Sequence, residues 1–141
     1  MNTETAIEQY LASLPDNKQA DMRVLHELAW KLVGGKGLWF LDGKDESGKI
    51  VSNPNIGYGK QTMTYADGSS KEFYQVGISG NSTGISVYIM GLDDKSALAR
   101  LFADSLGKAK VTGYCIKFKR LSDVSLDVLV AAMQYGVEHT K

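Results

Sequence analysis

Two histidines, one cysteine and sixteen Asp/Glu carboxylates set what chemistry this chain can do. A zinc site asks for Cys and His at paired spacings, and Cys115, His26 and His139 are far apart and follow no such pattern. Harder cations ask for clustered oxygens. Glu4 and Glu8 share a helix face at i, i+4, and Asp42, Asp45 and Glu46 crowd one polar stretch. That stretch lacks the D-x-[DN]-x-[DN]-G order of a calcium loop and reads as a solvated turn. Cys115 falls in a run of strand-forming residues, on the alternation that also carries Val111, Gly113 and Lys117, and reads as a small buried side chain. No G-x-S-x-G elbow is present. Gly59-Lys60 and Gly107-Lys108 both lack the glycine a phosphate loop needs five residues earlier, where Pro54 and Phe102 stand. These residue types give no argument for an enzyme.

Two patterns stand out as binding surfaces. Between Gly107 and Leu121 the chain has five cations (Lys108, Lys110, Lys117, Lys119, Arg120) and no anion. Lys108 and Lys110 follow a helix end and complement its partial negative charge. Lys108, Lys117, Lys119 and Arg120 together are the candidate site for an anionic ligand or an acidic protein partner. The competing reading is the wet face of an edge strand, where lysine also guards against aggregation. The second pattern is Tyr58, Tyr65, Tyr74 and Tyr88, contributed by neighbouring strands. Amphipathic tyrosines on one sheet face can line a pocket, and Tyr58 and Tyr88 are the candidates here; packing in the core is the alternative.

The elements that must position these residues follow from period. Ile7, Tyr10, Leu11 and Leu14 form a helical stripe, with Thr5 and Glu8 at capping-box spacing. Pro15 ends that helix and Asp16 is placed to cap the next, which carries Met22, Leu25, Leu28, Ala29, Leu32 and Val33 and stops at Gly34-Gly35. Strand-type runs follow at Leu38–Leu41, at Tyr58–Tyr65 and Glu72–Ser79 around an Asp67-Gly68 hairpin turn, and at Ile85–Met90. A third helix begins at Asp93 or Asp94 and stops at Gly107. Val111–Phe118 reads as one more strand, and a last helix starts after Ser122 or Ser125. Strands grouped between helices predict an α+β fold: an antiparallel meander with an N-terminal helical hairpin and C-terminal helices on one face.

A chain of 141 residues is the length of one ordinary domain, spanning 1–141. Sixteen Lys/Arg balance sixteen Asp/Glu, which removes a global electrostatic case for nucleic acid or a membrane surface. A single cysteine fits a reducing compartment. The first fourteen residues are polar and acidic, and no apolar run approaches the roughly 20 residues of a membrane helix. The expectation is a cytoplasmic protein, a monomer or weak homodimer, with no nucleic-acid or membrane partner.

The run Leu106-Gly107-Lys108, then Cys115-Ile116-Lys117-Phe118-Lys119, then Leu121-Ser122-Asp123-Val124-Ser125-Leu126-Asp127-Val128-Leu129 resembles the YdhG-like family of domains of unknown function. Ile56-Gly57-Tyr58-Gly59, Val87-Tyr88-Ile89-Met90 and the N-terminal Ile7…Tyr10-Leu11…Leu14-Pro15 are similar too, so the likeness spans essentially the whole chain. The resemblance implies a small α+β domain. Some members are described as frataxin-like iron chaperones, which would imply iron held by carboxylates on the first helix, here Glu4 and Glu8. The segment Leu38–Asn55, with Trp39 and the acidic turn, is longer than the family pattern and reads as this chain's own elaboration over a groove. The expected function is therefore a non-enzymatic binding domain. Either it handles iron through surface carboxylates, or it is an adaptor or small-ligand domain taking an anion through the basic segment 108–120.

Overall fold

Local signals in the chain explain most of the boundaries, and the structure moves a few. In the computed structural model, which describes residues 2–140, the first helix (α1, Thr3–Ala12) is capped by Asn2, whose Oδ1 accepts from the Thr5 amide at 2.8 Å. Thr5 and Glu8 therefore lie inside the helix instead of capping it. The second helix (α2, Asp16–Leu32) has Pro15 at its cap position, so Asp16 is its first residue and caps nothing. Its far end closes with two amide bonds, Gly34 N to Lys31 O and Gly35 N to Trp30 O, both 3.0 Å. That pair is the Schellman arrangement expected of the two glycines.

Eight strands follow: β1 (Leu38–Leu41), β2 (Asn55–Tyr58), β3 (Gln61–Thr64), β4 (Ser70–Phe73), β5 (Val76–Asn81), β6 (Gly84–Ile89), β7 (Ala109–Thr112) and β8 (Cys115–Phe118). Six of them form one sheet in the order β1-β2-β5-β6-β8-β7, antiparallel at every step. Tyr58–Tyr65 is not one strand. Gly59, at φ +81°, bends the chain out of the sheet, so β2 pairs with β5 while β3 and β4 form a separate hairpin around the Asp67-Gly68 turn. Val111–Phe118 is not one strand either. It folds back at Gly113-Tyr114, with Thr112 opposite Cys115, and makes β7 an edge strand and β8 an interior one.

The third helix (α3, Ala97–Leu106) begins a few residues later than expected, after Asp94 has accepted from the Ser96 amide and hydroxyl. The last (α4, Leu126–His139) is capped by Ser125. Strand register assigns the faces. Val76 faces Ile89, Ile78 faces Val87, and Ile116 lies beside Val87, all on the side that meets the helices. One core cluster joins these residues to Leu11, Leu25, Leu98 and Leu129 from the four helices. The fold is thus α+β, with helices from both ends of the chain packed on one face of an antiparallel sheet. No helix among the described residues is long and apolar enough to cross a membrane.

Candidate functional site

The core cluster takes residues from all four helices on one face of the sheet; at the second face, among the described residues, α1 alone reaches the groove, through Ala6, Gln9 and Tyr10 beside edge strand β1. Successive register pairs lay two rows of side chains across that second face. One runs Trp39, Gly57, Gly77, Tyr88, Cys115, Thr112; the other runs Leu41, Asn55, then Ser79, Ser86, Lys117, Lys110. The first row has a gap at its centre, because Gly57 and Gly77 stand directly opposite each other without side chains. Tyr74 fills that gap. A Cβ added at Gly57 would stand 2.1 Å from Tyr74 Cδ2, and one at Gly77 2.6 Å from Cε1, so the ring lies flat on the bare backbone. Two hydrogen bonds hold Tyr74 there, and a third ties Gln61 to β6's end. The buried Gln61 amide donates to the Tyr74 carbonyl (3.0 Å) and to the Met90 carbonyl (2.8 Å), and the Tyr74 hydroxyl donates to Asn55 Oδ1 (3.0 Å).

Aromatic rings extend outward from Tyr74. Phe73 stacks on it at 4.2 Å between centroids, Trp39 meets Phe73 edge-on at 6.0 Å, and the Lys71 ammonium sits 5.3 Å from the Phe73 ring. Across the face, Tyr88 and Tyr114 approach at 6.2 Å. Between the two groups opens a groove of about 1100 Å³, bounded on its far side by the 42–53 loop. Burial raises the Tyr74 hydroxyl strongly and the Tyr88 hydroxyl to a lesser degree, Ser86 and Ser79 opposing at Tyr88, so both meet a ligand as neutral hydrogen-bonding groups. Cys115 lies buried in the same floor. Burial raises its thiol, Lys117 acting in the opposite direction, so it is not an activated nucleophile.

The tyrosines proposed for a pocket divide between the faces. Tyr88 lines the groove, but Tyr58 is fully buried on the helix side, where its hydroxyl meets His26 Nδ1 at 2.6 Å. The apolar alternation of Ile56 and Tyr58 around Gly57 carried that signal, since it puts Tyr58 with the core residue. Tyr65 is exposed on the β3–β4 hairpin. Tyr114 also lines the groove, from a turn that the strand-like run Val111–Phe118 conceals in the sequence.

The basic residues divide as well. Lys117 lies on interior strand β8, directly opposite Lys110 on β7, and both belong to the uncovered face. Lys108 donates its amide to the Asp123 carbonyl at the start of β7, and Lys119 and Arg120 follow β8 as exposed residues. The ion pairs among the described residues are Arg23–Glu8, Lys60–Glu72 and Arg100–Asp94, so none of the five cations takes part in one.

The carboxylates implied by the family resemblance are placed on α1. Glu8 is held bidentately by Arg23 at 2.8 and 3.0 Å, and Arg23 keeps it below the usual carboxylate range. Glu4 and Glu8 border a small recess of about 330 Å³ with His26 and Trp30. Among the described residues, no three His, Cys, Asp or Glu side chains come together as a metal ion would need. Glu4 and the Arg23-paired Glu8 make two carboxylates, where a non-haem iron triad takes three protein side chains. No family model, curated protein or solved structure matches the chain.

Proposed function

We propose that the protein is a small-ligand-binding domain that takes a flat, aromatic anion on the uncovered face of its sheet. The observation that carries this reading is the convergence of Tyr74, Tyr88 and Tyr114 on one groove, from the β4–β5 link, β6 and the β7–β8 turn. Apolar grooves lined with aromatic rings and a few fixed polar groups are what small-molecule sites consist of. Tyr74 is braced from below by glycine backbone and from the side by Gln61 and Asn55, so it presents a fixed wall. The unpaired lysines continue the same face, which supports a negative charge on the ligand. YdhG-like membership is part of this proposal and rests on the C-terminal residues quoted above.

Titration with 1-anilinonaphthalene-8-sulfonate, an aromatic anion, tests it. Saturable binding is expected, weakened about tenfold in Tyr88→Ala and in Tyr114→Ala, each loss being of the size of one aromatic contact. Circular dichroism confirms that both variants fold. Binding that neither substitution weakens would reject the groove. The iron reading requires Glu8 to leave Arg23, and anaerobic calorimetry with ferrous iron addresses it. A saturable heat that disappears in Glu4→Ala/Glu8→Ala would favour iron handling instead.

A further inference from the structure

Two positions along β6 from Tyr88, where the turn from β5 to β6 meets β8, lies a second recess of about 140 Å³, which shares no lining residue with the groove. Its lining is Asn81, Thr83, Ile85, Ser86, Lys117 and Phe118. The turn is locked from inside. Asn81 Oδ1 accepts from the Thr83 amide (3.0 Å), the Thr83 hydroxyl (2.8 Å) and the Gly84 amide (2.9 Å). This fixes the other end of the same amide: Asn81 Nδ2 donates one proton to Ser86 Oγ at 3.2 Å and keeps a second. Ser86 accepts that bond, and its hydroxyl proton is also within reach of the Tyr88 hydroxyl and the Cys115 thiol, while the Lys117 ammonium carries three donors. Three donor groups of three chemical kinds, amide, hydroxyl and ammonium, therefore border one small recess, and no carboxylate among the described residues lines it.

The charge arrangement makes no sense as scaffolding. Like charges directly opposite each other across an antiparallel pair are destabilising, and Lys110 faces Lys117 in that way. Lysine on an edge strand has a protective use, which covers Lys110 on β7. It does not cover Lys117, because β8 has a neighbour on both sides. An anion held at Lys117 would relieve the repulsion.

We infer that this recess seats a tetrahedral oxyanion, and that the ligand of the aromatic groove is an aryl phosphate or sulfate ester whose charged end occupies it. This rests on the groove reading and adds the ligand's second half. The spacing suits it: Ser86 and Tyr88 are two residues apart on one strand face, about 6.6 Å along β6. A ring against Tyr88 and Tyr114 with an oxyanion attached through one oxygen spans that distance.

Calorimetry with phenyl phosphate, phenyl sulfate, 4-methylphenol and inorganic phosphate separates the two halves. Phenyl phosphate or phenyl sulfate should bind more tightly than 4-methylphenol or inorganic phosphate, and the tighter of the two esters names the oxyanion. Lys117→Gln should weaken the esters about tenfold or more, as loss of a charge-assisted hydrogen bond does, and leave 4-methylphenol unchanged. Ser86→Ala should weaken the esters in the same sense. Tyr114→Ala should weaken all three ring compounds and leave inorganic phosphate unchanged. Should Lys117→Gln and Ser86→Ala both leave the esters unaffected while Tyr114→Ala weakens them, the recess is not the oxyanion seat and the groove still stands. If inorganic phosphate binds and is lost in Lys117→Gln but no ring compound binds, the groove reading fails and so does the two-part ligand. Absence of binding by all four compounds overturns both. Lys117 is exposed, so Lys117→Gln is expected to fold normally.

Discussion

At the residue scale, His26 and Tyr58 couple the core to pH. Burial is the larger cause that lowers the His26 pKa, with Arg23 adding to it and Glu8 and Glu27 opposing. The folded protein therefore binds fewer protons than the unfolded chain as pH falls through the ordinary value of 6.5. Stability should be full above that pH and decline below it, while the carboxylates are still ionised. Urea unfolding at steps from pH 8 to pH 5 should show the decline in the wild type and a flatter profile in His26→Gln; equal slopes would mean that another group is responsible. The hydroxyl that meets His26 is itself buried, so Tyr58→Phe should cost about 1 kcal/mol through the unmet imidazole nitrogen. Gly57 is constrained by contact and not by φ. Gly57→Ala drives a methyl into the Tyr74 ring and should destabilise by about 1–3 kcal/mol, the usual cost of overpacking. If Tyr74 is instead displaced from its wall, ligand binding should fall as well.

At the element scale, the helices were legible and the strand breaks were not. Apolar side chains at i, i+3, i+4 and i+7 mark α1 whatever surrounds it, and Leu38–Leu41 was found with its bounds intact. The caps of α1 and α2 were misplaced because capping patterns recur by chance within a turn of the true end. Tyr58–Tyr65 and Val111–Phe118 look continuous in the sequence because a glycine between strand-forming residues is compatible with either a strand or a bend. Losing the bend at Gly113-Tyr114 hid the interior position of β8, and with it the oddity of Lys117. Parity was the other loss: Tyr58 and Tyr88 differ by one step of the pleat relative to the core, and that step decides which face each occupies. The β7–β8 hairpin carries its own prediction. Lys110→Glu turns a repulsive cross-strand pair into an attractive one, and should raise stability by about 0.2–1 kcal/mol while weakening phenyl phosphate. A variant that is more stable and binds as well would show that Lys110 has no part in the site.

On the scale of the whole molecule, the fold has spent its helices on one side. Among the described residues, four helices and one core cluster occupy a single face of a six-stranded sheet, and the opposite face is dressed by Tyr74, its aromatic neighbours and the 42–53 loop, with Ala6 and Gln9 of α1 at the groove's border. That asymmetry is the physical reason for placing a ligand there, since the recess beside Glu4 and Glu8 is smaller and its Glu8 is already paired. The most direct test is a map of backbone amide NMR shifts on titration with phenyl phosphate. The account predicts saturable shifts confined to Tyr74–Gly77, Ser86–Met90 and Tyr114–Lys117, with the Asn81–Gly84 turn moving with them. Shifts concentrated on α1 around Glu4 and Glu8, with those segments unmoved, would contradict it.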